Sequence, residues 1–141
     1  CVWGVFETPN IDDVDAVIDV AAKLCSMINV LNYKLSKKKY EKIDVGIGID
    51  DGVALMVKAG YSGSGLNDVI WMGDVVNSAC HLANKAGRDF REPILITSKV
   101  YNNVLEATQK LLTKCTVDGT TYYEGNIIWD PIENWYKENC R

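Results

Sequence analysis

The sequence predicts an α+β fold, a β-sheet with its helices on one face, and three observations carry that expectation. An apolar stripe with a period near 3.6 runs from Ile11 to Leu35. Short apolar runs bounded by Gly, Asp and Pro recur along the rest of the chain. The two kinds of segment follow one another as strand, helix, strand, strand, strand, helix, strand, helix, strands. A sheet covered on one side leaves its second face for a partner or a ligand.

Length and composition set the frame. The chain has 141 residues, 48% hydrophobic and 24% charged, enough for one core. Fifteen Lys and Arg stand against 19 Asp and Glu, a net charge of -4 with no long block of either sign, so a nucleic-acid or anionic-membrane surface is disfavoured. The longest uncharged stretch in the first helical region, residues 24–33, is too short to span a bilayer. A soluble, cytoplasmic protein that binds neither nucleic acid nor membrane is expected. Five scattered cysteines, at 1, 25, 80, 115 and 140, and the absence of any Cys-x-x-Cys argue against a disulfide framework or a zinc site.

Val2-Trp3-Gly4-Val5-Phe6 reads as a strand with no turn or cap before it, which suggests that the domain begins upstream of residue 1. Asn10 is placed to cap the helix that carries the apolar stripe, with Asp12 and Asp13 in its first turn and Lys34, Lys37, Lys38 and Lys39 at its end, where each sign suits the helix dipole. The alternating runs 43–49 and 53–59, joined by Asp50-Asp51-Gly52, predict a β-hairpin with a tight turn. Residues 61–67 read as a loop whose glycines lack the ending of a phosphate-binding loop. A short strand at 69–72 then precedes a helix over 73–86, which Gly87 stops. Residues 93–97 read as a strand, with Ser98 expected to cap a helix to about Ala107. The tail, 106–141, is expected to add strands and a helix, with turns at Asp118-Gly119 and Gly125-Asn126, and with Trp129 and Trp135 as packing residues.

On the helix after Trp71, the residues Asp74, Asn77, His81 and Asn84 recur at spacings of three, four and three and share one face, opposite an apolar side formed by Val75, Val76, Ala79, Leu82, Ala83 and Ala86. Such a face can be simply solvated. It also suits an anionic centre at phosphorus, because the Asn77 amide donates hydrogen bonds and His81 donates one or carries charge.

The run Val45-Gly46-Ile47-Gly48-Ile49-Asp50-Asp51-Gly52-Val53-Ala54, followed after a loop by Trp71-Met72-Gly73-Asp74-Val75-Val76-Asn77-Ser78-Ala79-Cys80-His81-Leu82, resembles the paired signature of the class III adenylate and guanylate cyclases. In that family the first part usually reads Gly-Ile-His-x-Gly-x-Val and the helix Gly-Asp-x-Val-Asn-x-Ala-x-Arg-Leu. Residues 93–98 are similar to the strand closing the family's core, and residues 1–6 to the strand after its metal-binding Gly-Asp turn. The resemblance covers about residues 1–105. Within the family, the Lys58-Ala59-Gly60 strand end and the Gly-Ser-Gly loop look most like the bacterial pyrimidine (cytidylate and uridylate) cyclases of antiphage signalling.

What the resemblance implies is specific. The fold would be a ferredoxin-like antiparallel sheet of cyclase type, truncated at its N-terminus, with residues 1–141 the C-terminal portion of one catalytic domain. Asn77 takes the place of the asparagine that steadies the ribose or the transition state, and His81 stands where the family has an arginine. Ile70, with Trp71 and Asp74 beside it in the substrate-binding set, falls where purine cyclases read the base with Asp or Thr, so an apolar residue there fits a pyrimidine. The implied reaction makes a 3′,5′-cyclic nucleotide, cCMP or cUMP, from a nucleoside triphosphate in a homodimer with the site at its interface, using two divalent metals, Mg²⁺ or Mn²⁺. Both metal carboxylates would lie upstream of Cys1, so these 141 residues alone should be inactive. Two other readings fit the same residues. One is a catalytically inactive cyclase-homology module for dimerisation or regulation, which His81 and Ile70 favour. The other is an unrelated ferredoxin-like binding domain whose polar helix face is only surface.

Overall fold

The protein is described by a computed structural model over residues 2–60 and 67–140. The loop at 61–66 lies outside the described residues.

Helix α1 (Ile11–Lys37) starts as its sequence requires: Asn10 and Asp13 form a reciprocal capping box, and Asp12 and Asp13 occupy the first turn. It ends with Lys39 at φ 61 and the Tyr40 N–H bonded back to the Leu35 carbonyl at 3.0 Å, a left-handed stop made without glycine. Of the apolar stripe, Val14, Ile18 and Ala21 are buried, whereas Ile11, Leu24 and Leu31 are exposed.

The main sheet has four strands, β1 (Ile47–Ile49), β4 (Ile94–Thr97), β5 (Thr113–Val117) and β6 (Thr120–Gly125), in the order β1-β4-β6-β5. β1 and β4 run parallel and the other pairs antiparallel, so the sheet is mixed where a purely antiparallel one was expected. Parallel neighbours need a crossover, and α2 (Asp74–Lys85) supplies it.

Helices cover both faces, not one. On β4, Ile94 and Ile96 point into a core with Val14, Ile18 and Ala21 of α1, while Leu95 points the other way into a second core with Leu82 and Ala86 of α2 and its C-cap. Strand alternation alone sets this division. Gly46 and Gly48 explain how α2 fits: a Cβ at Gly48 would collide with the backbone of Ala79 and Ala83, and one at Gly46 with the carbonyls of Ala83 and Ala86. Helix and strand are in direct backbone contact there.

The expected hairpin through Asp50-Asp51-Gly52 does not form. β1 pairs with β4, and β2 (Leu55–Gly60) pairs instead with β3 (Asn67–Met72) in a separate two-stranded ribbon, in register from Leu55↔Met72 to Gly60↔Asn67. The Asp50 carboxylate accepts from its neighbour's N–H at 2.8 Å and from Thr97 Oγ1 at 2.8 Å, and Lys99 Nζ donates to the Asp51 carbonyl at 2.9 Å. Those bonds hold the segment against the start of the helix that follows β4 and carry the chain out of the sheet, so no tight reversal is made. The expected strand at residues 2–6 is also absent: no strand pairs with this segment among the described residues, and Val2, Trp3, Val5 and Phe6 are exposed.

Thr97, not Ser98, caps α3 (Ser98–Asn102), accepting the Val100 N–H, and the helix stops well before Ala107. A separate turn, α4 (Glu106–Gln109), follows, with Asp15 of α1 accepting from the Leu105 N–H and the Thr108 hydroxyl. The Asp118-Gly119 hairpin forms as expected, with φ of 49 and 80 that suit its two residues. The second turn does not: after Gly125 the chain runs to α5 (Asp130–Asn139), which lies against α1 through Asn29 donating to the buried Glu133 at 2.9 Å and Tyr33 edge-on to Tyr136. Trp129 packs under Lys23 as expected, but Trp135 is exposed.

Candidate active site

Helix α2 begins where the ribbon ends. Gly73, at φ 145, makes the corner with Val53 and Ala54 close behind it, and Gly52 sits against Val75, so the polar face of α2 is presented beside the root of the ribbon. Leu82 is fully buried beneath it, which fixes the rotation of the helix and turns Asp74, Asn77, His81 and Asn84 to the exposed side.

The four expected polar residues thus share one exposed face. Asn77 is placed with its backbone N–H bonded to the Gly73 carbonyl at 3.2 Å, and its side chain has no intramolecular partner among the described residues. Its amide is free to meet a ligand. His81, one turn on, is engaged: Nε2 lies 3.4 Å from Oδ2 of Asp118 at the β5–β6 turn, and Lys85 Nζ reaches the same oxygen at 3.4 Å. Lys85 first, then His81, holds the Asp118 carboxyl below the ordinary carboxylate range. The sequence gives no hint of this contact, because Asp118 is accounted for by its turn and lies 37 positions from His81.

The two ribbon residues are not brought together. Ile70 faces the same side as Val57, Leu55 and Met72, and Trp71 the opposite side with Met56, because neighbours along a strand alternate. Within one copy of the chain, Ile70 and Trp71 cannot contact the same face of one base. Ile70 is exposed, as are Leu55, Met56, Val69 and Met72.

No group of three or more His, Cys, Asp or Glu able to hold a metal ion occurs among the described residues. Asp50 is bound to Thr97, and Asp51 pairs with Lys99 at 3.3 Å, so these carboxylates serve the sheet edge. A cavity of about 400 Å³ lies past the C-terminal end of α2, lined by Cys25, Asn29, Asn32, Asp44, Gly87 and Arg91 among others; none of the expected site residues reaches it. Burial pushes the Cys25 thiol at its wall up to about 11, which keeps it protonated and unreactive at neutral pH. No helix among the described residues is long and apolar enough to cross a membrane.

Comparison with known proteins points to nucleotide cyclases. The chain is similar to a protein named uridylate cyclase from Treponema porcinum, 34% identical over 137 residues, which are 96% of this chain and 48% of that protein. It is similar also to a uridylate cyclase from Gulbenkiania mobilis, 35% identical over 146 residues, 94% of this chain and 55% of that protein. The chain spans about half the length of these curated relatives. No protein-family model matches it. The two similarities support a relationship to the pyrimidine cyclases.

Proposed function

We propose that the chain forms part of a nucleotide cyclase that converts a pyrimidine nucleoside triphosphate, UTP before CTP, to its 3′,5′-cyclic monophosphate and pyrophosphate. The observation that carries this reading is the similarity to two uridylate cyclases over 96% and 94% of the chain, a span that takes in α2 and both ribbon strands. In the reaction the ribose 3′-oxygen bonds to the α-phosphorus, the bond from that phosphorus to the pyrophosphate oxygen breaks, and negative charge grows on the oxygens between. A free amide donor at Asn77 is placed to meet that charge, with His81 next along the face. Mg²⁺ or Mn²⁺ belongs to the proposal, held by residues other than the described ones.

The homodimer is part of the same proposal, and the ribbon supports it. Leu55, Val57, Ile70 and Met72 make one continuous apolar face on a two-stranded unit too small to be stable unaided. Burying that face against a second copy would put Ile70 at the interface and leave Trp71 on the opposite side of the ribbon. The pyrimidine preference and the antiviral-defence role come with the resemblance and stand or fall with the product.

The intact protein, incubated with ATP, GTP, CTP and UTP and Mn²⁺ or Mg²⁺, should release pyrophosphate and a cyclic nucleotide, fastest with UTP. No product from any of the four would sink the reading and favour an inactive cyclase-homology module, which the replacement of the family's arginine by His81 otherwise supports. Asn77→Ala should slow the reaction roughly ten- to a thousandfold, the size of losing one donor to a developing oxyanion. An unchanged rate would return Asn77 to the solvated surface.

A further inference from the structure

The β5–β6 turn lies outside the motifs at residues 45–98 that suggest a cyclase, yet its tip touches the helix that carries the second of them. Asp118 is bound from two sides, by Nε2 of His81 and Nζ of Lys85, each 3.4 Å from Oδ2. Lys85 is one turn beyond His81, and His81 one turn beyond Asn77, so the three donors form a row along α2, and the last two of them meet one carboxylate. The turn that carries Asp118 is well anchored. Asp118 and Gly119 form the two-residue hairpin turn, and the strands behind them pair through Val117↔Thr120 and on to Thr113↔Glu124. Val117 is buried in the same core as Leu82 and Ala86, so the turn and the helix are locked in position by shared packing.

An imidazole that is exposed over 54% of its side chain would ordinarily sample several rotamers. A carboxylate at Nε2 selects among them and among tautomers, because an ionised carboxylate only accepts and so keeps a proton on the nitrogen that faces it. The other nitrogen is then the one left for a different partner. The Arg91 guanidinium steadies the same strand from behind, donating to the Thr116 carbonyl at 3.0 Å.

We propose that Asp118 is a positioning residue for His81, setting the orientation and tautomer of the imidazole that replaces the family's arginine beside Asn77. The inference rests on the cyclase reading. It assigns the tail a part in the site: the sheet extension formed by β5 and β6 serves to bring one carboxylate to α2.

Asp118→Asn is the informative variant, since Asn tolerates the left-handed backbone at least as well as Asp and should leave the hairpin folded. In the intact protein it should lower kcat roughly two- to fivefold with KM for the triphosphate little changed, in keeping with an exposed pair acting through a second group. Made in a His81→Ala background, the same change should cost nothing more, because its only route to the reaction has been removed. An equal loss in both backgrounds, or no loss in either, overturns the proposal. So does a rise in rate with a fall in KM, which would mean that Asp118 competes with the substrate's phosphates for His81 and Lys85. If the unmodified protein forms no cyclic nucleotide, the cyclase reading fails separately. The ¹⁵N shifts of the His81 ring, assigned by its loss in His81→Ala, then decide the contact: a changed tautomer balance in Asp118→Asn sustains it, and identical shifts overturn it.

Discussion

β4 and β3 are strands of nearly the same apolar character, Ile94-Leu95-Ile96 and Val69-Ile70-Trp71-Met72, and they end in opposite surroundings. The three β4 residues are 0% exposed, sandwiched between α1 on one side and α2 on the other, whereas Val69 and Ile70 are 45% exposed and Met72 54%. An apolar run states that a segment needs cover. It does not state whether the cover comes from its own chain. In the sheet the cover comes from α1 and α2, while among the described residues the ribbon face stays largely exposed, which is why the two regions should answer differently to the same kind of substitution.

The largest difference is expected at Leu95, which fills the gap between β4 and α2 with no solvent contact. Leu95→Ala in the intact protein should cost about 4 kcal/mol of unfolding free energy, within the range for emptying a buried leucine site that cannot fully collapse. Urea denaturation measures it directly. A cost below about 1 kcal/mol would mean that α2 does not pack on β4 as described. Gly48→Ala is the converse change, adding a methyl where there is none to spare. Because the atoms in the way are the backbone of Ala79 and Ala83, α2 has to move as a body, and about 3 kcal/mol is expected, toward the upper end for overpacking. That displacement also moves Asn77 and His81, so the proposed cyclase activity should fall further than stability alone explains.

The sequence carries some of this plainly and hides the rest for physical reasons. Helix α2 and its exposed face follow from a 3.6-residue period that nothing in the tertiary structure opposes, and the Asp118-Gly119 hairpin from two residues that tolerate positive φ. Asp50-Asp51-Gly52 has the same turn chemistry and makes no such turn, because Thr97, 47 positions away, competes for the Asp50 side chain. Local propensity cannot register a distant competitor. The second helical layer was hidden in Gly46 and Gly48, which read as strand residues of low propensity and are in fact the surface on which α2 rests. The single broken piece of helix after β4 has a similar origin, since the Asp15 carboxylate of α1 captures the Leu105 N–H and begins a new turn there. Within the site, the residues read from one helix face were legible together, while the pairing of His81 with Asp118 depends on a register set by β5 and β6 and could be seen only in the folded chain.

The smallest effect on stability, and the sharpest on assembly, belongs to the ribbon. Leu55 and Ile70 lie on one face, each contributing to the apolar surface and neither to a core of the same copy. Changing both to Ser should alter the unfolding free energy of the unassociated protein by no more than about 0.5 kcal/mol, as for exposed positions generally. If a second copy covers that face, the same pair of changes removes apolar area from the interface and weakens association by tenfold or more, since every 1.4 kcal/mol is a factor of ten. Sedimentation at several protein concentrations separates the two terms: the variant should run as a monomer at concentrations where the unmodified protein dimerises. On the proposed reading, in which the site is completed across the interface, activity per milligram should then rise with concentration. A variant that dimerises as well as the original would move the interface off the ribbon, and would leave the exposure of Leu55 and Ile70 to be explained by a different partner.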